Sequence, residues 1–422
     1  MNLARSFGAL FLLLTSTISQ ALELGDAAAV GIDPERLERV SRVIENDIAR
    51  DKIKGGVALV ARDGQIVYHK AFGYADAESE KAMTTDSIFR IASMTKTITT
   101  IGVLILYENG HFQLNDPISK FLPEFSSMQV ITETDDSGTI LATAPAGSSI
   151  TIIDLLTHTS GIAYPFIPSV VQKLYVDAGI IDGLTVSNQT LASQMQMLAK
   201  QPLLFEPGSS FEYGLNSDLA GYLIEVVSGQ PLDEFFREHI TGPLEMDDTW
   251  FYLPEESAGR LATLYADVPE KGLVVSKGDE ADIKLDDPNF PIKGARSYFS
   301  GGAGLSSTTH DFARLMQMLL NRGELDGVRI LSRKSVELMS APRVDSDGDG
   351  VADLALGLSV VSDLGNYAEL GSVGAYNWGG AFNTTFWIDP AERLIAVFMS
   401  QVRPRDTDIG QRFKTAVYQS LE

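Results

Sequence analysis

Ser93-Met94-Thr95-Lys96 follows Phe89-Arg90-Ile91-Ala92 and opens the run Thr97-Ile98-Thr99-Thr100-Ile101-Gly102-Val103-Leu104. A serine and a lysine three apart at the start of an apolar run are expected on one helical face, hydroxyl beside amine. The free backbone N–H groups and the positive dipole end of a helix's first turn lie next to them. These are the parts of a serine nucleophile activated without histidine. Taken alone the spacing also arises by chance on surface helices, so the rest of the chain has to decide.

The chain has 422 residues, enough for one large domain or two intertwined ones around a substantial core. Its 44% apolar and 21% charged residues are ordinary for a soluble globular protein. Residues 1–21 read differently: a single positive charge at Arg5, an apolar stretch from Phe7 to Ile18, and small residues up to Ala21. This is the pattern of a secretory signal peptide cleaved near Ala21, which implies a periplasmic or secreted product. No later stretch reaches the roughly 18 uninterrupted apolar residues of a membrane helix, so no stable membrane insertion is expected after cleavage.

Cysteine is absent, which excludes disulfides, thiol catalysis and thiolate metal sites. The formal charge is −23, and loss of Arg5 with the leader makes it −24. Such a surface repels nucleic acid and anionic membranes, so neither is expected as a partner.

Asp33-Pro34 suits a helix start, followed by the stripe Leu37, Val40, Ile44 and Ile48. Strands Gly56–Ala61 and Gln65–Tyr68 flank Arg62-Asp63-Gly64, a hairpin signal. The Ser93 helix should stop at Asn109-Gly110. From Leu114 to about Phe299, helical patches alternate with polar connections such as Asp135-Asp136-Ser137-Gly138. Helices are expected over Ile152–Leu156, Leu219–Val227 and Thr309–Leu320. Strands are expected over Leu356–Val361, Thr384–Ile388 and Leu394–Met399, and a closing helix over Ile409–Leu421.

The fold class is therefore α/β (α+β): an antiparallel sheet of N- and C-terminal strands flanked by helices, with an inserted, mostly helical domain. The α/β part would cover about 30–112 and 300–422, and the helical part about 113–299, with a catalytic cleft between them.

An activated serine needs a base, an oxyanion site and a wall for substrate. Lys96 is the nearest base. Tyr213, in Phe211-Glu212-Tyr213-Gly214-Leu215-Asn216-Ser217-Asp218, could share a proton beside it, although alone it reads more readily as a half-buried aromatic. Tyr376-Asn377-Trp378-Gly379-Gly380-Ala381-Phe382 sets two glycines before a strand, where backbone can approach a ligand closely. The N–H groups of Ala381 and Ser93 could then hold an oxyanion, although a glycine bulge at a strand entrance would look the same.

The order serine–lysine, tyrosine, glycine-pair strand resembles the serine β-lactamase and penicillin-binding-protein superfamily, with its Ser-x-x-Lys signature. The nearest resemblance is to the class C β-lactamase-like branch that includes family VIII carboxylesterases. Supporting stretches run through most of the chain, among them Leu155-Leu156-Thr157-His158-Thr159-Ser160-Gly161, Phe205-Glu206-Pro207-Gly208 and Gly301-Gly302-Ala303-Gly304-Leu305. The resemblance implies a β-lactamase/transpeptidase-like fold. It also makes Ser93 the acylated nucleophile, Lys96 its partner and Tyr213 the general base or acid, and sets Trp378-Gly379-Gly380 in the place of a lysine–threonine–glycine triplet.

The chain departs from that pattern in two places. Leu215 stands where family β-lactamases carry asparagine, and Asn216, one position later, would point elsewhere even though it is kept among the substrate-binding candidates with Trp378, Gly379, Gly380 and Ala381. Trp378 replaces a lysine that would bind a carboxylate. Both changes favour uncharged esters over β-lactams.

Other motifs are weaker. His69, His111, His158, His239 and His310 show no metal-ligand spacing, which argues against a zinc hydrolase, and the Ser93 acyl-enzyme chemistry requires no metal or organic cofactor. His158 reads as a structural residue beside the cleft. No Gly-x-Ser-x-Gly occurs. Asp345-Ser346-Asp347-Gly348-Asp349 has the spacing of a calcium loop, but Leu356 stands where the bidentate glutamate belongs, and a solvated acidic loop is the better account.

The sequence thus describes an exported serine hydrolase that cleaves carboxylic esters, with amides as a further class, through a Ser93 acyl-enzyme. A β-lactamase or a D-amino-acid peptidase/D,D-carboxypeptidase is the alternative, and a non-catalytic peptide-binding relative is the remote one.

Overall fold

The computed structural model describes residues 22–278, 287–403 and 408–422; the leader read at 1–21 lies outside them. A short strand, β1 (Glu23–Leu24), comes first. The Asp33 carboxylate then accepts the amides of Glu35 and Arg36 and caps a helix beginning at Pro34. The expected single helix is two, Pro34–Leu37 and α1 (Arg39–Ala49), divided at Glu38. Its stripe of Leu37, Val40 and Ile44 is buried as the spacing requires.

Asp63 and Gly64 both take positive φ, 54° and 75°, the twist that joins β2 (Gly55–Arg62) to β3 (Gln65–Asp76) in a tight hairpin. Next comes α2 (Thr95–Glu108), buried on almost every side because it runs through the centre of the molecule. The middle of the chain supplies α3 (Ile152–Thr157) and α4 (Asn216–Ser228), and after it comes α5 (Thr309–Leu320). The stretch around Asp135-Asp136-Ser137-Gly138 is more than a connection: it tips a hairpin of Gln129–Thr134 and Ile140–Pro145.

The C-terminal part adds β4 (Ser359–Val360), β5 (Tyr376–Gly380), β6 (Thr384–Asp389), β7 (Leu394–Met399) and α6 (Ile409–Tyr418). The strand expected over Leu356–Val361 shrinks to two residues, while Tyr376–Gly380, read from sequence as the approach to a strand, is itself one.

These elements form one eight-stranded sheet in the order β1-β3-β2-β7-β6-β5-β4, with Lys81–Ala82 beside β3. All pairings are antiparallel except β1 with β3. The chain ends meet at β2 and β7, where Arg62 faces Leu394 and Val57 faces Met399.

Alternation along these two strands divides the core. Val57, Leu59, Ala61, Ile395 and Val397 join the cluster that holds α2 and α5. Ala58, Val60, Ala396 and Phe398 join the cluster that holds α1 and α6. Each large side chain buried this way contributes about 1.5–3 kcal/mol, so helices cover the sheet on both faces. The mixed α/β architecture is the one read from the sequence.

Candidate active site

Ser93 does not sit in α2 itself. It lies in a 3₁₀ turn, Ala92–Met94, immediately ahead of that helix. Ala92 holds the left-handed conformation at φ 42°, which is costly for a residue with a side chain and persists only where neighbours enforce it. Leu305 is one such neighbour: its carbonyl accepts the Ile91 N–H at 3.0 Å and its N–H donates to Thr95 Oγ1 at 3.1 Å. The turn leaves Ser93 half-buried, with Ala92 and Met94 buried on either side.

Lys96 is the second residue of α2 and has no solvent exposure. Its ammonium donates three hydrogen bonds: to Ser93 Oγ at 3.2 Å, to Tyr164 Oη at 3.0 Å and to the Gly302 carbonyl at 2.7 Å. That is the full donor capacity of a lysine. Tyr213 Oη donates to the same Ser93 Oγ at 2.8 Å. Lys96 Nζ also lies 4.7 Å from the Tyr213 ring centroid. The hydroxyl, the ammonium and the phenol, 120 residues apart at the extremes, therefore meet at one oxygen.

The wall beside them is the end of β5. The Trp378 ring sits 6.0 Å from the Tyr213 ring, centroid to centroid. Gly380 packs on the Ser93 turn so closely that a Cβ there would fall 2.3 Å from the Ile91 carbonyl oxygen and 2.3 Å from Thr384 Oγ1. Ala381, next in line, packs with Ala92, Ala303 and Phe382. The backbone of residues 380–381 thus runs beside the backbone of residues 91–93.

Asn216 is a different matter. It is fully buried, and its side chain accepts from Ser160 Oγ and donates to Ile162 O at 3.3 Å, with His158 Nδ1 at 3.1 Å. It braces the floor behind Tyr213, because the first turn of α4 points it into the interior and not toward the Ser93 hydroxyl. Leu215, at the position where an asparagine was looked for, is likewise buried in the core.

Three contributors escape a reading of the sequence. Tyr164 is 3% exposed and stacks on Phe166 at 4.7 Å; burial raises its phenol well above the usual tyrosine range, so it stays neutral as it accepts from Lys96. Gly302 supplies the carbonyl. Asp218 lies behind Gly302, fully buried, accepting from Ser300 Oγ at 2.6 Å and from Tyr298 Oη at 3.3 Å. Tyr164 follows the Thr157-His158-Thr159-Ser160-Gly161 stretch, Gly302 belongs to the glycine cluster of residues 301–304, and Asp218 closes the Phe211–Asp218 stretch around Tyr213, so each had a nearby signal.

His158 takes the structural place expected of it. Burial, with the Lys96 charge as a smaller cause, holds its imidazole well below the usual histidine range. The neutral ring accepts the Gly214 N–H on Nδ1 at 3.2 Å. Elsewhere, Asp345, Asp347 and Asp349 bring carboxylate oxygens within 4.8 Å of one another, while Asp345 accepts the amides of Gly348, Asp349 and Gly350 in the same loop.

A family model described as Beta-lactamase matches residues 40–418. The chain belongs to the β-lactamase family. Within it, Esterase EstB of Burkholderia gladioli is 31% identical over 393 residues, covering 89% of this chain and 93% of its own. The Lovastatin esterase of Penicillium rubens is 30% identical over 403 residues, covering 87% and 94%. Among solved structures, EstCE1, a hydrolase with promiscuous acyltransferase activity, superposes with a TM-score of 0.78 at 28% identity, covering 91% of this chain and 99% of its own. This β-lactamase-family chain is a serine hydrolase related to esterases and acyltransferases.

Proposed function

We propose that this serine hydrolase cleaves carboxylic esters through an acyl-enzyme on Ser93. The observation that carries the reading is the double hydrogen bond on a half-buried hydroxyl: Tyr213 Oη at 2.8 Å and Lys96 Nζ at 3.2 Å, both on Ser93 Oγ. An oxygen held this way can pass its proton to a neighbour as it attacks.

In the proposed cycle the Lys96–Tyr213 pair first releases one proton to solvent, and Tyr213 then accepts the Ser93 proton. Oγ bonds to the carbonyl carbon, and the displaced electron pair goes to the carbonyl oxygen, held by the N–H groups of Ser93 and Ala381. Collapse breaks the bond to the leaving alkoxide, which takes the proton from Tyr213 and departs as the alcohol. Water then gives a proton to Tyr213 and attacks the acyl carbon. Ser93 leaves, recovers that proton, and the carboxylic acid is released.

Trp378 supports esters over β-lactams. It sets an uncharged aromatic wall beside Tyr213 where a lysine would attract a substrate carboxylate. The esterase names of two relatives support the same choice. Export to the periplasm or medium is part of this proposal and rests on residues 1–21 alone.

Purified protein lacking the leader should be given a short-chain p-nitrophenyl ester and a chromogenic cephalosporin side by side. The expected result is a higher kcat/KM for the ester, with turnover lost in Ser93→Ala. Faster cephalosporin turnover would place the protein with the β-lactamases instead, and full ester turnover by Ser93→Ala would remove the mechanism.

A further inference from the structure

Lys96 carries a positive charge into a site with no solvent exposure, and its three hydrogen-bond partners are all neutral oxygens. A buried ammonium without an anion nearby is costly, and the usual outcome is loss of its proton. A carboxylate does stand one residue away. Gly302 accepts from Lys96 on its carbonyl, while its amide side faces Asp218. A Cβ on Gly302 would lie 2.4 Å from Asp218 Oδ2 and 2.9 Å from Tyr164 Oη. Glycine is thus what lets the acid, the phenol and the lysine crowd around one peptide.

We propose that Asp218 is the buried counter-charge of Lys96, acting across Gly302 to hold the proton on the Lys96–Tyr213 pair in the resting enzyme, and so sets the lower pH limit of activity. It is a positioning residue that touches neither substrate nor Ser93. The inference rests on the Ser93 mechanism above and adds to it the group that regulates the base.

The surroundings fit that task. Oδ1 is held by Ser300 and Tyr298, so the carboxylate cannot swing away. The charged and titratable groups around it are Lys96, Tyr164, Tyr298 and Asp182, with Ser300 as the strongest single donor. Burial pushes the Asp218 carboxyl up to about 6, against the lowering effects of Ser300 and Lys96. Above that pH it is charged and stabilises the protonated pair; removing its charge makes the pair release its proton more readily.

The test is the pH dependence of ester kcat/KM in Asp218→Asn, an isosteric change, with thermal unfolding checked alongside. The acid limb should move about one unit to lower pH. Ser300→Ala leaves the carboxylate in place but raises its proton affinity, so it should move the limb the same way by a smaller amount. An acid limb unchanged in either folded variant, with kcat/KM merely reduced at every pH, would overturn the proposal and leave Asp218 as packing. Labelling of Ser93 by a fluorophosphonate separates the two levels of the argument. An unlabelled parent enzyme would remove the Ser93 mechanism itself, whereas a labelled parent with unshifted variants would remove only the role of Asp218.

Discussion

His158 holds Tyr213 from both flanks: its carbonyl accepts the N–H of Glu212 at 2.9 Å, its Nδ1 accepts the N–H of Gly214 at 3.2 Å, and the two rings stand 4.8 Å apart. The peptide groups on either side of the phenol are thereby tied to one residue, itself braced by Asn216. The left-handed conformation of His158 at φ 56°, at the C-terminal cap of α3, aims the ring and the carbonyl at the same loop.

His158→Ala should therefore lower kcat by about 10- to 100-fold with a smaller change in KM, since a phenol displaced by an ångström loses its aim at Ser93. The orphaned Gly214 N–H adds about 1–3 kcal/mol of lost stability. Steady-state ester kinetics and urea unfolding of the same variant read both effects. Unchanged kcat would show that Tyr213 keeps its place without this anchor.

Gly380→Ala tests the seam between β5 and the nucleophile turn. The added Cβ has 2.3 Å to the Ile91 carbonyl oxygen, which is backbone and cannot yield cheaply. Overpacking of this kind costs about 1–3 kcal/mol. The expected outcome is a lower Tm together with slower fluorophosphonate labelling of Ser93.

Trp378→Lys restores a cation to the wall of the site. A charge-assisted contact is worth about 1.5–3 kcal/mol, so the ratio of cephalosporin to ester kcat/KM should rise by roughly 10-fold or more. A ratio that stays level would mean that something other than Trp378 decides the substrate class.

His69 predicts how stability responds to acid. Desolvation first, then the neighbouring His310, lowers its imidazole from 6.5 to about 4, while Nε2 shares a hydrogen bond with Thr309 Oγ1 at 3.1 Å. With the folded value depressed, the unfolded chain binds more protons between those limits. Its contribution is thus whole above pH 6.5 and is lost as pH falls toward 4. Discounted for partial exposure, the loss is about 2 kcal/mol. Urea unfolding at pH 7 and pH 4.5 should show His69→Gln losing less stability across that interval than the parent chain.

Much of the fold was legible because its signals are local. The Asp63-Gly64 turn, the Asn109-Gly110 stop and the Thr308 cap of α5 act within a few residues of themselves, so the elements they bound could be read directly. The short apolar, β-branched and aromatic run Leu394–Met399 likewise announced a strand, and β7 is buried on both faces. Signals failed where the stabilising partner is remote: Tyr376–Gly380 is a strand only because β6 and β4 pair with it.

The site divides the same way. By itself the sequence determined that Ser93 and Lys96 are neighbours, because three residues in a first turn leave little choice. It also marked Tyr213 and Trp378-Gly379-Gly380 through their order along the chain. Only the tertiary structure decided that Ser93 sits in a strained turn ahead of the helix, that Asn216 faces the core, and that Tyr164, Gly302 and Asp218 surround the lysine. Tyr164 is 68 residues from Lys96 and Gly302 is 206 away. Such contacts arise from the packing of the 300–304 loop and α4 on α2, and the burial of one ammonium, rather than any local pattern, is what makes them necessary.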